Sequence, residues 1–417
     1  MKNYNTIISE RQDRGEVITP ENLIKEMLDK LPQEVFKSKI TTFLDPCFGT
    51  GSFLKAIGLR LKKYGHSTEN INSRLFGFEV DSRMFNETKC KFNGITINKQ
   101  DFLNTDINMK FDVIVGNPPF QAPGNFKGST LLWPAFYEKA DSILKENGYL
   151  YFLSPYTWAS AINDDSKNSK VSLCNFSTSE LLNFDLTPNN YFNVGSSTIS
   201  TALFCKNKKA STDVNIRFSD SVEVKMDISD LDFIPMKVCS NYDISIFNKV
   251  INNDLQKFEL LNQTFGKGIR SSKNNLSESG NNDLVHKSYY TWSNYKKNKF
   301  LWSYSKGLYS DIPKIILFYS NDCSFVYDTG SAGLGHLTAG IPCSSIEEYN
   351  NAMTIFDSKL FSFVSKFKPY KGTHGGKPAT VKHFPKLSFS KSWTNQEIYD
   401  YFNLTQEEIN YIENAVK

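Results

Sequence analysis

The chain has 417 residues, a length that favours two domains, and its 40% hydrophobic and 22% charged residues are ordinary for a globular protein. The net charge of +4 is too small to identify a partner, and seven scattered cysteines without a C-x-x-C pair argue against a zinc site or a disulfide framework. No apolar run is long enough to span a membrane and the polar N-terminus is not a signal peptide, so we expect a protein of a reducing cytoplasm.

The first predicted element is a helix that begins near residue 20. Thr19 is a good N-cap and Pro20 suits the first helical position. Apolar residues then recur at helical spacing over residues 23–31. An ordinary capped helix explains this stretch without any function.

A glycine-containing turn follows the first predicted strand. The strand ends at Asp45, residues 46–51 read Pro-Cys-Phe-Gly-Thr-Gly, and a helix is predicted from Ser52. Glycines at a strand-to-helix turn let a ligand approach the backbone closely. The third glycine of a dinucleotide fingerprint falls on Leu54, and the Gly-Lys-Ser/Thr of a phosphate loop is missing, so NAD and ATP fit poorly.

Further strands alternate with helical segments along the N-terminal half. We predict strands at 75–79, 95–97, 112–116, 148–153 and 198–204. This alternation indicates a mostly parallel sheet with helices on both faces. The strand at 75–79 ends in Glu79, and an acid at that place can accept hydrogen bonds from both hydroxyls of a ribose.

The fourth strand stops at Asn117-Pro118-Pro119-Phe120. Two prolines fix φ and remove two N–H donors, so they produce a stiff turn at the carboxyl end of the strand. The turn offers an amide, free carbonyl groups and an aromatic ring. That set can hold a planar group with an exocyclic amine, although a strand-ending turn with a satisfied asparagine has the same sequence.

Taken in chain order, these motifs resemble the gamma-class DNA adenine-N6 methyltransferases, which are restriction-modification methylases that use S-adenosylmethionine (SAM). The resemblance covers roughly residues 15–205. Phe120 is a departure, because many relatives have tyrosine there, but a phenyl ring stacks equally well. The implied fold is a Rossmann-like α/β methyltransferase fold with a mostly parallel seven-stranded sheet and helices on both faces, followed by a mixed α+β target-recognition domain.

The resemblance implies a SAM site and no metal. Asp101 corresponds to the residue that bonds the SAM adenine amine and Phe102 to the one that packs its ring, while Asp81 is the alternative to Glu79. The residues implied to bind SAM are Thr19, Asp45, Cys47, Gly49, Gly51, Glu79, Asp101, Phe102 and Asn117.

The resemblance also assigns the catalytic residues. Asn117 and the Pro118 carbonyl accept from the adenine N6 amine, and Phe120 and Phe192 stack on the two faces of the flipped base, with Tyr191 as the alternative to Phe192. Because Cys47 lies in the cofactor loop, it is not expected to act as the nucleophile of a cytosine-C5 methyltransferase.

The two halves of the chain are expected to have different roles: residues 1–235 form the catalytic domain and 236–417 the target-recognition domain. Residues 366–391 contain seven lysines and no acidic residue, which suits DNA phosphates, although a solvated basic surface is the commoner explanation. The DNA contacts predicted there are Lys371, His374, Lys377 and Lys382. Two short helices with capping boxes at Thr394 and Thr405 close the chain.

The expected function is site-specific methylation of adenine N6 in double-stranded DNA, in restriction-modification or in protection of phage or plasmid DNA. We expect a cytoplasmic monomer, in a bacterium or a phage-infected host cell, without membrane contact and possibly paired with a separately encoded restriction endonuclease. RNA adenine-N6, protein glutamine-N5 and DNA cytosine-N4 methylation remain alternatives at this point.

Overall fold

A computed structural model describes most of the chain. The described residues are 18–121, 131–160, 179–192, 198–206, 212–229, 231, 233–261, 286–289, 301–303, 309–318, 325–335, 338–367 and 380–416. The chain divides into two compact units, Met1–Ile234 and Pro235–Lys417. No helix within the described ranges has both the length and the hydropathy needed to cross a membrane.

The first unit alternates helices and strands. Its described helices are α1 (Glu21–Lys30), α2 (Glu34–Lys37), α3 (Ser52–Lys63), α4 (Thr68–Asn72), α5 (Ser82–Lys89) and α6 (Trp133–Ile143). Its strands are β1 (Phe43–Asp45), β2 (Leu75–Phe78), β3 (Thr96–Asn98), β4 (Phe111–Gly116), β5 (Leu144–Pro155), β6 (Ser179–Asp185), β7 (Ile199–Lys206), β8 (Val214–Ser219) and β9 (Val222–Met226). Short 3₁₀ helices cover Tyr156–Ser160 and Thr187–Tyr191.

All nine strands form one sheet in the order β3-β2-β1-β4-β5-β7-β6-β8-β9. The first five strands in this order, β3 to β5, are parallel to one another, whereas β7 runs antiparallel to both β5 and β6. The predicted Rossmann-like α/β fold is confirmed. The first seven strands make the expected sheet, and β8 and β9 extend it at one edge. Strand β6 was not predicted from the sequence.

The direction of winding changes between β1 and β4. From β1 the chain proceeds outward through β2 and β3, and it then returns to place β4 on the other side of β1. Crevices at the carboxyl ends of strands on either side of such a switch point are where open α/β sheets bind ligands. The ends of β1 and β4 carry Asp45 and Gly116.

One large hydrophobic cluster holds this edge in place. Helices α1 and α3 cover strands β1 and β4. Burial of one large apolar side chain, such as leucine or phenylalanine, stabilises a fold by about 1.5–3 kcal/mol. The cluster includes Leu23, Ile24, Met27, Leu28, Phe53, Leu54, Ile57, Leu61, Val113 and Val115, all buried.

The start of α1 differs from the prediction. The helix begins at Glu21, and its N-cap is Pro20, which lacks a side-chain cap hydrogen bond. Thr19 lies one residue earlier, so the prediction that Thr19 caps the helix is wrong. The physical reason is that its hydroxyl bonds to a residue 98 positions away, as described below.

The second unit is a mixed α+β structure, as predicted. Its described helices are α7 (Asn241–Val250), α8 (Ile346–Phe356), α9 (Lys359–Val364), α10 (Asn395–Tyr401) and α11 (Gln406–Ala415). Its strands are β10 (His286–Tyr289), β11 (Leu301–Ser303), β12 (Lys314–Phe318), β13 (Phe325–Asp328), β14 (Gly333–Leu334) and β15 (Thr338–Pro342). Thr394 and Thr405 form the predicted capping boxes of α10 and α11.

Candidate active site

The carboxylate of Asp45 lies directly beside the last residue of β4. Strands β1 and β4 pair in parallel through Leu44 and Ile114. A β-carbon built on Gly116 would stand 2.8 Å from Oδ1 of Asp45, so glycine is what allows the two strand ends to approach. Asp45 is 1% exposed, and burial raises its pKa to about 7. Its carboxylate accepts the backbone N–H of Cys47 at 3.1 Å.

The turn after β1 requires its glycines. Gly49 has φ +51° and Gly51 has φ +78°, a region that side chains with a β-carbon rarely adopt. A β-carbon on Gly51 would also lie 2.2 Å from the Phe92 ring. The Gly51 N–H donates to the carbonyl of Phe48, which closes the turn at 2.6 Å.

Glu79 ties the end of β2 to this turn. Its Oε2 accepts the backbone N–H of Gly49 at 2.9 Å, and its Oε1 accepts that of Asp81 at 2.8 Å. Burial raises the pKa of Glu79. Asp81 has a different task, because its carboxylate caps α5 through the N–H of Met84. Of the two acids, Glu79 is therefore the one that contacts the glycine turn.

Asn117 lies close to Thr19 and to Cys47. Its side-chain Nδ2 donates to the hydroxyl of Thr19 at 3.1 Å, and Thr19 is itself buried. Its backbone lies close enough to Cys47 to lower the pKa of that thiol. Pro118 is buried and Pro119 exposed. The bond to Thr19 leaves the other end of the amide, the acceptor Oδ1, directed away from Thr19.

Cys47 sits between the two acids of the site. Burial raises the pKa of its thiol, and the charges of Asp45 and Glu79 raise it further. The thiol is therefore protonated at neutral pH. A protonated, desolvated thiol is a poor nucleophile, in keeping with a place in the binding loop.

Asp101 and Phe102 follow β3. The Asp101 carboxylate accepts the N–H of Leu103 at 3.0 Å and the side chain of Asn104 at 2.6 Å. Phe102 is 2% exposed and stacks on Phe136 with ring centroids 5.5 Å apart. A ligand at this place would meet only a small part of the Phe102 ring.

Phe120 and Phe192 are both half-buried, and both pack against the same hydrophobic cluster under the sheet edge. Phe192 ends the second 3₁₀ helix. The preceding Tyr191 is more exposed, and its hydroxyl donates to Glu26 of α1 at 2.8 Å. Tyr191 and Phe192 therefore differ in their contacts, because the Tyr191 hydroxyl bonds to Glu26 of α1 whereas the Phe192 ring packs on the hydrophobic cluster.

Val80 is an exposed apolar residue beside the glycine turn's partner Glu79 that the sequence analysis does not single out. It follows Glu79 directly and is 68% exposed, which is unusual for a valine beside a buried strand end. In the sequence, it is visible as an apolar residue immediately after the acid that follows β2. A planar ligand group could pack against it.

The predicted DNA contacts are resolved only in part. Lys371, His374 and Lys377 lie outside the described residues, while Lys382 is described and exposed in the second unit. In the part of the chain that the structure describes, no cluster of three His, Cys, Asp or Glu side chains is arranged to hold a metal ion.

The arrangement of turn, acid and Asn-Pro-Pro-Phe corner at one sheet edge agrees with a comparison of sequence families. Residues 28–192 match the Eco57I restriction-modification methylase family. The resemblance to restriction-modification methylases indicated by the motifs is thus confirmed for residues 28–192. This segment contains the glycine turn, Glu79 and the Asn-Pro-Pro-Phe corner, whereas Thr19 lies before it.

Individual relatives agree with the family match. The chain is 30% identical over 175 residues to the type II methyltransferase M.VspI of Vibrio sp. (strain 343), covering 36% of this chain and 40% of that protein. It is 34% identical over 120 residues to the type II methyltransferase M.CvrRI of Paramecium bursaria Chlorella virus XZ-6E, covering 28% of each. The chain thus spans less than half the length of these curated relatives.

Among solved structures, the type IIL restriction-modification enzyme MmeI in complex with DNA covers 87% of this chain and 64% of its own. The identity is 14% and the TM-score 0.46, and a likeness at this level carries no argument about function.

Proposed function

We propose that this protein is a DNA methyltransferase that transfers a methyl group from SAM to N6 of adenine. The observation that carries the proposal is the anchoring of Asn117. Its side chain bonds to Thr19 and its backbone lies near Cys47 of the glycine turn, which supports a shared site for the Asn-Pro-Pro-Phe corner and the turn.

The residues of the turn suit SAM chemically. Asp45 is a buried carboxyl group that accepts from a backbone N–H, and it would be stabilised in its charged form by a cationic group such as the ammonium of SAM. Glu79 uses one lone pair of each oxygen on backbone N–H groups and has others for ribose hydroxyls. Val80 offers an exposed apolar surface to the adenine.

The Asn-Pro-Pro-Phe corner suits a primary amine. The Asn117 Oδ1 and the Pro118 carbonyl would accept its two protons and so localise the nitrogen lone pair. SAM would supply an electrophilic methyl group and leave as S-adenosylhomocysteine when its sulfur–carbon bond breaks, and the methylated nitrogen would release one of its protons to solvent. Positioning and electrostatics supply the catalysis, without a covalent enzyme intermediate.

The target base must leave the duplex to reach this corner, at a cost of a few kcal/mol. Phe120 and Phe192 are proposed to stack on its two faces, because both rings are partly exposed above the same cluster. The second unit is proposed to recognise the target, with Lys371, His374, Lys377 and Lys382 on DNA phosphates. The protein is proposed to act as a monomer and to be paired with a separate endonuclease.

Transfer of label from methyl-tritiated SAM tests the proposal. The acceptors are a pool of random duplex oligonucleotides, the same sequences as RNA, and a bacterial release factor as the source of a glutamine side chain. We expect label only in the duplex DNA pool and, after digestion to nucleosides, in N6-methyl-2′-deoxyadenosine. Label in N4-methylcytosine, RNA or protein would replace the proposed substrate with the corresponding alternative.

Sequencing of DNA from cells that express the protein gives the recognition site. Single-molecule sequencing detects modified adenines directly, and a modified motif absent from cells that express Asn117→Ala would assign the methylation to this protein. The absence of any modified motif, together with no labelled acceptor in vitro, would refute the proposed activity.

A further inference from the structure

We propose that Thr88 is a positioning residue, whose hydroxyl fixes the orientation of the Gly49–Thr50 peptide in the glycine turn and so maintains the affinity for SAM. This inference rests on the proposed function, because it takes SAM as the ligand of the turn. The observation that carries it is a hydrogen bond of 3.0 Å from Thr88 Oγ1 to the carbonyl oxygen of Gly49, between residues 39 positions apart. A carbonyl oxygen only accepts, so the Thr88 hydroxyl is the donor.

Gly49 is a residue whose own chemistry does not fix its backbone. It has φ +51°, and a glycine adopts positive and negative φ with similar ease. Its N–H donates to Glu79 Oε2 at 2.9 Å, and its carbonyl accepts from Thr88. The two bonds together fix the peptide on each side of Gly49, and the one from Thr88 fixes the peptide that leads to Thr50.

Helix α5 and Phe92, which follows it, fill one side of the glycine turn. A β-carbon on Gly51 would stand 2.2 Å from the Phe92 ring and 3.2 Å from Thr88 Cγ2. A β-carbon on Gly49 would stand 3.7 Å from Cε of Met84 on α5. Thr88 itself is 1% exposed. A ligand must therefore approach the turn from the side away from α5.

The orientation of the Gly49–Thr50 peptide decides what the turn presents to a ligand on that side. In a trans peptide the N–H points opposite to the carbonyl, so the bond to Thr88 directs the Thr50 N–H away from α5. A half-turn of the peptide would place a carbonyl oxygen where the ligand meets that N–H. Without the Thr88 hydroxyl both orientations would be populated, and the apparent affinity would fall with the fraction of protein in the competent one.

Calorimetric titration with SAM tests the inference. Thr88→Val keeps the shape of the side chain and removes the donor, and the loss of one hydrogen bond should raise the Kd for SAM by about 5- to 10-fold. The number of SAM molecules bound per protein should not change, and the methylation rate at saturating SAM should stay within about twofold, because the competent orientation is still reached. Thr88→Ser keeps the donor, so its Kd should stay within about twofold of the natural value. An unchanged Kd in Thr88→Val would overturn the inference.

Thr338→Val is a matched control in the second unit. Thr338 is also 1% exposed, and its hydroxyl also donates to a glycine carbonyl, that of Gly335, at 3.1 Å. The substitution makes the same chemical change outside the first unit, so SAM affinity should not change. If Thr338→Val weakens SAM binding as much as Thr88→Val does, the effect is general destabilisation and the inference fails.

A second measurement does not depend on SAM. In protein labelled with ¹³C at the glycine carbonyls and ¹⁵N at the threonines, only Gly-Thr pairs give a carbonyl–nitrogen correlation, and the sequence has two, Gly49-Thr50 and Gly372-Thr373. The second signal is identified by its loss in Thr373→Ala. The Gly49 carbonyl resonance should shift in Thr88→Val and stay in place in Thr88→Ser.

The two measurements separate this inference from the proposed function. Equal Gly49 carbonyl resonances in the natural protein, Thr88→Val and Thr88→Ser would overturn the inference even if the natural protein binds SAM. If the natural protein binds no SAM, the proposed function fails, and the carbonyl resonance still decides whether Thr88 orients the peptide.

Discussion

Asp45 and Gly116 are in such close contact that a β-carbon on Gly116 would stand 2.8 Å from the Asp45 Oδ1. The contact joins the ends of β1 and β4, which carry the glycine turn and the Asn-Pro-Pro-Phe corner. The proposed methyl donor and methyl acceptor sites therefore depend on the same few atoms. This arrangement leads to five predictions about the site, and a buried ion pair leads to two about the second unit.

Gly116→Ala should disturb the donor site. The added methyl group would press on Asp45 and on Pro46, whose Cδ is 3.3 Å from the same point. We expect SAM affinity, measured by calorimetry, to fall by about 10-fold or more, and stability to fall by about 1–3 kcal/mol. Gly58→Ala on α3 is the control. Its β-carbon would meet neighbours at an ordinary 3.7 Å, so SAM affinity should not change.

The raised pKa of Asp45, about 7 because of burial, predicts pH-dependent SAM binding. A cationic ligand prefers the ionised carboxylate, so affinity should rise as pH increases from 6 to 8 and then level off. Asp45→Asn should abolish that rise, and an identical pH profile in both proteins would contradict the assignment.

The Asp45 carboxyl group should also make the free energy of unfolding depend on pH. This free energy should fall as pH rises, whereas SAM affinity rises. The folded pKa lies above the unfolded value of 3.8, so this contribution is complete below pH 3.8 and is lost as pH rises through about 7. Relative to Asp45→Asn, the natural protein should lose up to about 4 kcal/mol of unfolding free energy between pH 4 and pH 7. Urea unfolding at several pH values measures the difference.

Asn117→Ala should abolish methylation but preserve SAM binding. The change removes the proposed acceptor of the amine protons, and we expect transfer to fall by more than about 100-fold. The Cys47 contact uses the Asn117 backbone, which the substitution retains, so SAM affinity should change little. Normal turnover by this variant would exclude Asn117 from the mechanism.

Phe192→Ala should weaken capture of the flipped base. Stacking on an aromatic side chain is worth about 1–3 kcal/mol per base, so DNA containing 2-aminopurine at the target position should show less of the fluorescence increase that accompanies flipping. Tyr191→Phe is the control, because it removes only the hydroxyl that bonds to Glu26. A larger effect of Tyr191→Ala than of Phe192→Ala would make Tyr191 the stacking residue.

The buried pair Lys314–Asp328 should be important for the second unit. Their side chains are 0% and 1% exposed, and Nζ lies 2.6 Å from Oδ2. Lys314→Met leaves the carboxylate buried without its cation, which should cost about 3–5 kcal/mol, seen as faster hydrogen exchange in β12 and β13. The control Lys225→Met breaks a surface pair, 65% and 63% exposed, and should have little effect.

Low pH should lower the stability of the second unit. Burial raises the pKa of Asp328, but hydrogen bonds from Lys314 and Ser331 outweigh it and the net pKa is lowered. A carboxyl group with a depressed folded pKa contributes stability above its unfolded pKa and loses it as pH falls through the folded value. After correction for the intrinsic pH dependence of amide exchange, the protection of β12 and β13 should therefore fall at low pH, and less so in Asp328→Asn.

Local sequence patterns were sufficient to predict much of the fold. The strand ending at Asp45, the turn with Gly49 and Gly51, and the proline corner are short segments whose residues allow few backbone conformations. The capping boxes at Thr394 and Thr405 are local for the same reason, since donor and acceptor lie three residues apart.

Strand β6 shows where such patterns fail. Its sequence, Ser-Glu-Leu-Leu-Asn-Phe-Asp over 179–185, has no clean alternation of apolar and polar residues. It becomes a strand because β7 pairs with it on one side and β8 on the other. Pairing between distant segments is a tertiary interaction that no local periodicity reports.

The sequence by itself determined the order of the motifs, the alternating α/β architecture and the likeness to restriction-modification methylases. Only the tertiary structure decided that the Thr19 hydroxyl bonds to Asn117 instead of capping α1, and that Glu79, not Asp81, contacts Gly49. The physical reason is that a polar side chain can satisfy its hydrogen bonds locally or at a distance. Packing of the sheet edge, which brings together residues up to 98 positions apart, makes the choice.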